Sequence, residues 1–139
     1  MSHMTTAFSV LALATLLPTF ASAQQTVTLD QVTGAQTVAE FAALGAHQVI
    51  SAEFNQNVVG RTMDEGGWTW IINADGTHSS QADDGSWTDS GGTWELVGNQ
   101  YCRESPGNPR SCSDVYMIAN YIRMAGPDGA LAGWTVQLQ

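Results

Sequence analysis

The sequence contains no lysine, and arginine occurs only four times among its 139 residues. Thirteen aspartate and glutamate residues give the chain a formal net charge of −9. Because a strongly acidic surface repels phosphate backbones and anionic headgroups, nucleic acid and membrane surfaces are poor candidate partners. The same charge favours a cationic partner, although it also keeps a small protein soluble without any partner.

Motifs that would identify an enzyme are also missing. The sequence has no nucleophile elbow, no metal-ligand set and no cofactor motif. A hydrolase triad could be drawn from Asp75, His78 and Ser80, but neighbouring side chains along a strand point to opposite faces. We interpret the stretch around His78 as a polar edge strand instead.

Two pairs of adjacent carboxylates, Asp64-Glu65 and Asp83-Asp84, each precede glycine. That position is typical of turns, whereas a glycosidase needs two carboxyl groups that face each other across a cleft. An EF-hand would need more acids at fixed positions. We therefore expect no catalytic residues, no bound metal and no cofactor, and a protein that is not an enzyme.

The one long apolar run, residues 7–20, is too short to span a bilayer comfortably. Ala-Ser-Ala follows at 21–23, which is a small-x-small cleavage site, although no lysine or arginine precedes the run. We therefore expect residues 1–23 to be a signal peptide and the mature chain to be periplasmic or secreted. Because Gln24 follows the site instead of cysteine, no stable membrane anchor is expected after cleavage.

Cysteine occurs twice, at Cys102 and Cys112. In an exported protein an even pair predicts a disulfide, and the spacing fits neither a Cys-x-x-Cys motif nor a zinc site. Two proline-containing pairs at 106–109 predict that the intervening segment is a loop. A bridge across so short a segment contributes about 3 kcal/mol by the chain-entropy estimate.

This bridged segment carries Arg103 and Arg110, half of the basic residues. A preorganised protruding loop can enter a partner's cleft, because little entropy is lost on binding. That interpretation suggests an inhibitor of a cationic enzyme such as a lysozyme. In the alternative interpretation, the two arginines pair with Glu104 and nearby acids. Both interpretations stay open.

Residues 24–57 have helical features. Thr37-Val38-Ala39-Glu40 matches a capping box, and the apolar residues of Val49–Phe54 recur three to four apart. Before them, the alternation over Val27–Leu29 predicts a short strand or a loose tail. A short helical segment therefore precedes the rest of the mature chain.

From residue 58 the periodicity changes to two, and glycine-containing turns separate short aromatic or β-branched runs. The turn signals are Asp75-Gly76, Asp84-Gly85, Gly91-Gly92, Gly98-Asn99 and Asp128-Gly129. The predicted strands are 58–63, 68–73, 77–81, 93–97, 100–104, 113–118, 121–125 and 131–138. Closing so many strands into a barrel avoids open edges. We therefore predict a mainly β fold: a small antiparallel meander or barrel of about eight strands over 58–139, in one globular unit with 24–57.

Trp68 and Trp70 lie on the same face of one predicted strand. If the barrel interior is incompletely packed, this face could line an apolar or carbohydrate-binding pocket. Otherwise the two rings fill the core, because each aromatic side chain buries a large area. Together with the two arginines of the bridged segment, these tryptophans are the candidate binding residues.

Four short features follow one another along the chain: G-x-T at 60–62, D-G-T at 75–77, G-T-W at 92–94 and the two cysteines. Their order resembles that of a group of small exported β-rich proteins of proteobacteria. The resemblance covers roughly residues 58–138 and implies a periplasmic or secreted β-rich domain, without catalytic residues to transfer.

The sequence as a whole predicts an exported, non-enzymatic domain that binds a protein or a small ligand at the cell envelope. The alternative is a calycin-like carrier of a small apolar ligand inside the barrel, and a hydrolytic enzyme is the least favoured possibility.

Overall fold

The computed structural model describes residues 26–139 of the chain, and the predicted signal peptide lies outside this range. Within it, three short helices and a two-residue strand come first: α1 (Leu29–Gly34), α2 (Val38–Ala43), β1 (His47–Gln48) and α3 (Ser51–Asn57). Eight further strands follow: β2 (Thr62–Asp64), β3 (Trp68–Ile72), β4 (Thr77–Ala82), β5 (Thr88–Val97), β6 (Gln100–Ser105), β7 (Asn108–Ile118), β8 (Tyr121–Ala125) and β9 (Val136–Leu138).

Strands β2 to β9 form a closed antiparallel barrel in which each strand pairs with its neighbour in the chain. The ring closes between β2 and β9, where Met63 lies opposite Leu138. Strand β1 is an addition to this ring and pairs with the C-terminal half of β7. The predicted mainly β fold, a barrel of about eight strands behind a short helical segment, is confirmed.

Helix α3 covers one end of the barrel, which we call the closed end. Phe54 of α3 is 2 % exposed, and its ring centroid lies 5.5 Å from Tyr101 and 5.8 Å from Trp94. The Ser51 amide donates a 3.0 Å hydrogen bond to Asn99 Oδ1 in the β5–β6 turn. Since the N-cap residue of α3 makes no side-chain capping bond, Asn99 supplies the acceptor that the helix start needs.

A second apolar cluster lies outside the barrel, between α1, α2 and the outer face of β7 and β8. Its buried members are Val32, Ala35, Phe41, Ala125 and Leu131. The guanidinium of Arg123, which is 1 % exposed, crosses this cluster. Its Nη1 donates to the carbonyls of Val32 (2.6 Å) and Ala35 (3.1 Å), and Nη2 donates to the carbonyl of Ala132. Burial lowers the pKa of Arg123.

Helix α1 replaces the strand or loose tail predicted over Val27–Leu29. Thr28 caps it: its Oγ1 accepts a bond from the Gln31 amide, and the Gln31 side chain accepts one from the Thr28 amide. This is a capping box with glutamine in the third helical position. The capping box predicted at Thr37 and Glu40 is confirmed at the start of α2.

The segment between the two cysteines is a hairpin and not the predicted loop. Strand β6 continues to Ser105, and β7 already begins at Asn108. Only the tip at 106–107 is a turn. The prediction that the Pro-Gly pair lies outside a strand is therefore confirmed, whereas the same prediction for the residues on either side of it is wrong. The predicted disulfide is confirmed: Cys102 lies directly opposite Cys112, with an S–S distance of 2.05 Å.

Gly91-Gly92 is not a turn, as the sequence predicted, because both residues lie inside β5. The pairing of β4 with β5 shifts between His78–Gly92 and Ser80–Asp89, which leaves one extra residue in β5. Gly91 has a φ of 91° at this bulge, a conformation that glycine adopts without strain. The bulge bends β5 along the barrel wall.

Candidate functional site

The end opposite α3, which we call the open mouth, is bordered by the connections β2–β3, β4–β5, β6–β7 and β8–β9. The side chains that reach it come from the inner face of the strands. In β6, Tyr101 pairs with Leu96 and Arg103 pairs with Trp94. Because residues directly opposite each other share a face, Arg103 points into the barrel and away from the hairpin surface.

Arg103 is held by a cation–π contact with Trp70. Its Cζ lies 4.7 Å from the centroid of the Trp70 ring, a distance at which a cation–π interaction holds. Trp134 packs on the same tryptophan with a centroid distance of 5.3 Å. Arg103, Trp70 and Trp134 therefore form one layer across the mouth, which joins β3 and β6 to the segment before β9.

A half-open cavity of about 190 Å³ lies beside this layer. The side chains that line it from the barrel wall and the β8–β9 connection are Tyr101, Arg103, Ser111, Ser113, Met124 and Trp134. Its polar groups come from β6 and β7, the two strands that the disulfide joins. Met124, Leu131 and Trp134 also line it, so the cavity combines hydrogen-bonding groups with hydrophobic surface.

The hydroxyl of Tyr101, a lining residue of this cavity that is 1 % exposed, lacks a hydrogen-bond partner among the described residues. The buried indole Nε1 of Trp70, in the adjacent layer, lacks one as well. By contrast, Nε1 of Trp94 near the closed end donates a 2.8 Å bond to the carbonyl of Asn73. A buried polar group without a hydrogen-bond partner lowers stability by roughly 1–3 kcal/mol. A bound ligand with hydrogen-bonding atoms would remove this cost near the mouth.

Arg103 also has unused donors. Within residues 26–139, no side-chain hydrogen bond or ion pair involves its guanidinium, and the ion pairs join other residues. Glu65 lies within its electrostatic field: burial raises the pKa of Glu65, and the charge of Arg103 partly offsets that rise. Burial raises the pKa of Tyr101 to about 12, again against the effect of Arg103. Tyr101 is therefore a neutral hydroxyl at pH 7, able to donate one hydrogen bond.

His78 is part of the barrel interior, which corrects its interpretation as a residue of a polar edge strand. Strand β4 pairs with a neighbour on each side, and His78 is 9 % exposed. Its ring crosses over Gly92 and lies 3.3 Å from the carbonyl oxygen of Glu104. A Cβ atom at Gly92 would come within 2.1 Å of the ring. Gly92 thus provides the space that His78 occupies.

Trp68 and Trp70 share a strand face, but the structure places them differently. Trp70 is 8 % exposed inside the barrel, whereas Trp68 is 43 % exposed at the rim of the mouth. Trp68 packs edge-on against Trp87 of the β4–β5 connection, with 5.4 Å between ring centroids. The pair borders a shallow apolar groove together with Gly67 and Ala82.

Arg110 lies on the outer face of the barrel. It forms an ion pair with Glu95 of β5, and both side chains are about half exposed. The two arginines of the bridged segment are therefore brought to opposite faces of the wall: Arg103 to the cavity, and Arg110 to the solvent. The sequence left two interpretations of these arginines open: contact with a partner, or pairing with nearby acids. The structure shows the second for Arg110, which pairs with Glu95.

Sequence reasoning missed Tyr101, Ser111, Ser113 and Trp134 as lining residues. A signal was present, since Tyr101 precedes Arg103 by two positions and the two serines are also two apart. Such spacing places each pair on one face of a strand. The expectation of a loop between the cysteines hid the spacing of the two serines, whereas Tyr101 and Arg103 share the predicted strand 100–104 without a signal for which face lines a cavity.

In the described part of the chain, no group of three or more histidine, cysteine, aspartate or glutamate residues is arranged to hold a metal ion. None of the helices in this part is long and apolar enough to cross a membrane.

A comparison of the chain with protein-family models, curated proteins and solved structures found no match. The geometry of the open mouth is therefore the basis for any functional conclusion.

Proposed function

We propose that the protein is an exported binding protein that holds one small ligand in the open mouth of its barrel. The observation that carries the proposal is the half-open cavity with unused polar groups at two of its lining residues, Tyr101 and Arg103. The interior of an eight-stranded barrel is either filled by side chains or holds a single small ligand. In this protein the closed end is filled and the mouth is not.

The size of the cavity limits the ligand. At about 190 Å³ it slightly exceeds an engineered cavity of about 150 Å³ that binds benzene. It is smaller than the roughly 300–1,000 Å³ of pockets that take drug-sized molecules. A ligand of about one ring with a polar substituent therefore matches the space, and it would enter from the mouth, because Phe54 and α3 cover the other end.

Export is a second part of the proposal, and its support comes from the apolar run at 7–20 and the Ala-Ser-Ala site. We expect fractionation of a Gram-negative host that expresses the full chain to place the protein outside the cytoplasm. We also expect intact-mass analysis to give a mature chain that begins at Gln24. A cytoplasmic protein that keeps residues 1–23 would contradict export without affecting ligand binding.

The inhibitor hypothesis has less support than the ligand hypothesis. Its motivation was a protruding bridged loop, whereas Arg103 points into the barrel and Arg110 pairs with Glu95. It stays a prediction that mixing the mature protein with a lysozyme can check, since an inhibitor would form a stable complex and slow cell-wall hydrolysis.

Native mass spectrometry of protein purified from its own host tests the ligand hypothesis. We expect wild-type protein to carry an added mass of a small molecule, and Ser113→Leu to lack it because the larger side chain fills the cavity. Ser79→Leu is the matched control: Ser79 is also a half-buried strand serine, but it pairs with the outward-facing Ile71.

If bound ligand is lost during purification, ligand-detected NMR with a library of single-ring compounds replaces the mass measurement on the same three proteins. Binding that survives in Ser113→Leu would place the ligand elsewhere and contradict the proposal. Wild-type protein with neither added mass nor any binding compound would contradict it as well.

A further inference from the structure

We infer that the ligand carries a carboxylate on a small apolar body, and that Arg103 and Tyr101 bind the carboxylate. The inference rests on the proposed function, because it specifies what the mouth cavity takes. Three observations on different residues support it: the kind of polar groups that are unused, the placement of Arg103, and the apolar residues that line the cavity beside them.

The unused groups can all donate hydrogen bonds. The indole N–H of Trp70 and the guanidinium of Arg103 are donors only, and the Tyr101 hydroxyl has a proton to donate. Ser111 and Ser113 add hydroxyl groups at the same cavity. A site rich in donors selects a ligand rich in acceptors, and a carboxylate offers two oxygens without any donor of its own.

Arg103 is already oriented for such a group. The guanidinium lies over the Trp70 ring with Cζ 4.7 Å from the ring centroid, and its N–H groups have no hydrogen-bond partner among the described residues, so they are available for bidentate contact. The chain has thirteen acidic residues and four basic ones, yet no carboxylate of the described residues lies within 4.0 Å of Arg103. Arg103 lies beside the cavity and makes no direct ion pair, although its charge reaches Glu65, so it is complementary to an anionic ligand.

The cavity also has apolar lining residues. Met124, Leu131 and Trp134 contribute hydrophobic surface beside the donors. An inorganic anion would leave this surface facing water, whereas a ring or a short hydrocarbon chain would cover it. The polar and apolar lining groups together therefore match an amphipathic carboxylate of about the size of benzoate.

Titration calorimetry with benzoate and its neutral isostere benzamide tests the inference on the mature protein. The two probes have the same shape, so a difference in affinity reports the charge. Because hydrogen bonds between charged groups are stronger than neutral ones, we expect benzoate to bind at least about tenfold more tightly than benzamide. We expect the difference to shrink as salt is raised.

Two variants and one control variant locate the effect. Arg103→Gln should remove the preference for benzoate, while Arg61→Gln, which changes the net charge equally, should keep it. Arg61 is exposed and binds the Gln139 carbonyl where β2 meets β9, away from the cavity. Tyr101→Phe keeps the ring that packs on Phe54 and should weaken benzoate several-fold. Thermal unfolding of each variant confirms that it is folded.

The outcomes are separable. Equal binding of both probes, blocked by Ser113→Leu, would leave the ligand-binding proposal intact and overturn the carboxylate inference. A preference for benzoate that Arg103→Gln keeps would overturn the role of Arg103. If neither probe binds while other single-ring compounds do, the carboxylate inference fails alone; if no compound binds, both proposals fail.

Discussion

The two ends of the barrel interior differ in how completely their polar atoms are used. At the closed end, Phe54 stacks on Tyr101 and packs against Trp94, Trp94 Nε1 donates to the Asn73 carbonyl, and Asn99 caps α3. Near the mouth, Trp70 Nε1 and the Tyr101 hydroxyl find no partner among the described residues. Both ends draw on the same strands and the same residue types, so composition does not explain the difference.

The difference separates stability from binding within one small barrel. Buried polar groups that are satisfied rigidify a core, whereas unsatisfied ones are costly and persist where function requires them. Tyr101 lies at the boundary: its ring belongs to the closed end and its hydroxyl to the cavity. We therefore expect substitutions at the closed end to lower stability, and substitutions at the mouth to change binding.

The largest expected effect comes from Phe54→Ala. Removing this buried ring should lower the free energy of unfolding by about 3–5 kcal/mol, because a cavity remains under α3. Trp87→Ala removes a larger ring from the mouth, where it is 45 % exposed, and should cost less than half as much. Urea unfolding followed by far-UV circular dichroism measures both. If Trp87→Ala lowered the free energy of unfolding more than Phe54→Ala, the proposal that the closed end provides stability and the mouth provides binding would be wrong.

The disulfide has the next largest effect. Replacing both Cys102 and Cys112 by serine should lower the free energy of unfolding by about 3 kcal/mol, by the entropy of closing a short loop. Since the bridge joins the strands that carry Arg103 and Ser113, binding of a mouth ligand should weaken as well. Reductant should lower the melting temperature of the wild type and leave that of the double variant unchanged.

The contact between Gly92 and His78 gives a smaller effect with a clear control. Gly92→Ala should destabilise the barrel by about 1–3 kcal/mol, because the new methyl group overlaps the His78 ring. In a His78→Ala background the same change should cost much less, so the two effects should not add. Additive losses in thermal unfolding would show that the glycine is needed for another reason.

The smallest effect concerns Tyr101 at high pH. Its folded pKa of about 12 exceeds the ordinary value near 10, so between these values the folded state keeps a proton that the unfolded chain has lost. Stability contributed by the neutral hydroxyl is therefore complete below pH 10 and decreases as pH rises, by up to about 2 kcal/mol. The free energy of unfolding of Tyr101→Phe, measured by urea unfolding, should decrease less over this pH range than that of the wild type. Identical profiles would contradict the burial of this hydroxyl.

Much of the barrel could be predicted because its strands alternate clearly and end at glycine turns. Strand 121–125 has the predicted bounds, and Gly98-Asn99 forms the expected tight turn, with a φ of 60° at Gly98. Helix α1 could not be found by apolar periodicity, because it is only six residues long and depends on its cap.

The cavity at the mouth could not be predicted from the sequence, and the reason is physical. Strand residues of the mouth wall, such as Arg103, Ser111 and Ser113, are polar because they face a cavity and not a packed core. Arg103 and Ser113 fall in predicted strands, but without apolar alternation nothing marks the face that lines a cavity, and Ser111, beside two prolines, falls in the predicted loop. Local rules of sequence therefore failed at the place where the structure has its candidate site.

Arg123 determines how far the chain could be shortened. Its guanidinium binds carbonyls of α1 and of the β8–β9 connection, although it belongs to a barrel strand. A chain begun at Val58 would keep every strand of the barrel and leave this charge buried without its α1 partners, or expose the apolar surface around it. Transplanting the mouth into another protein would therefore require either α1 and α2 as well, or a neutral residue at position 123.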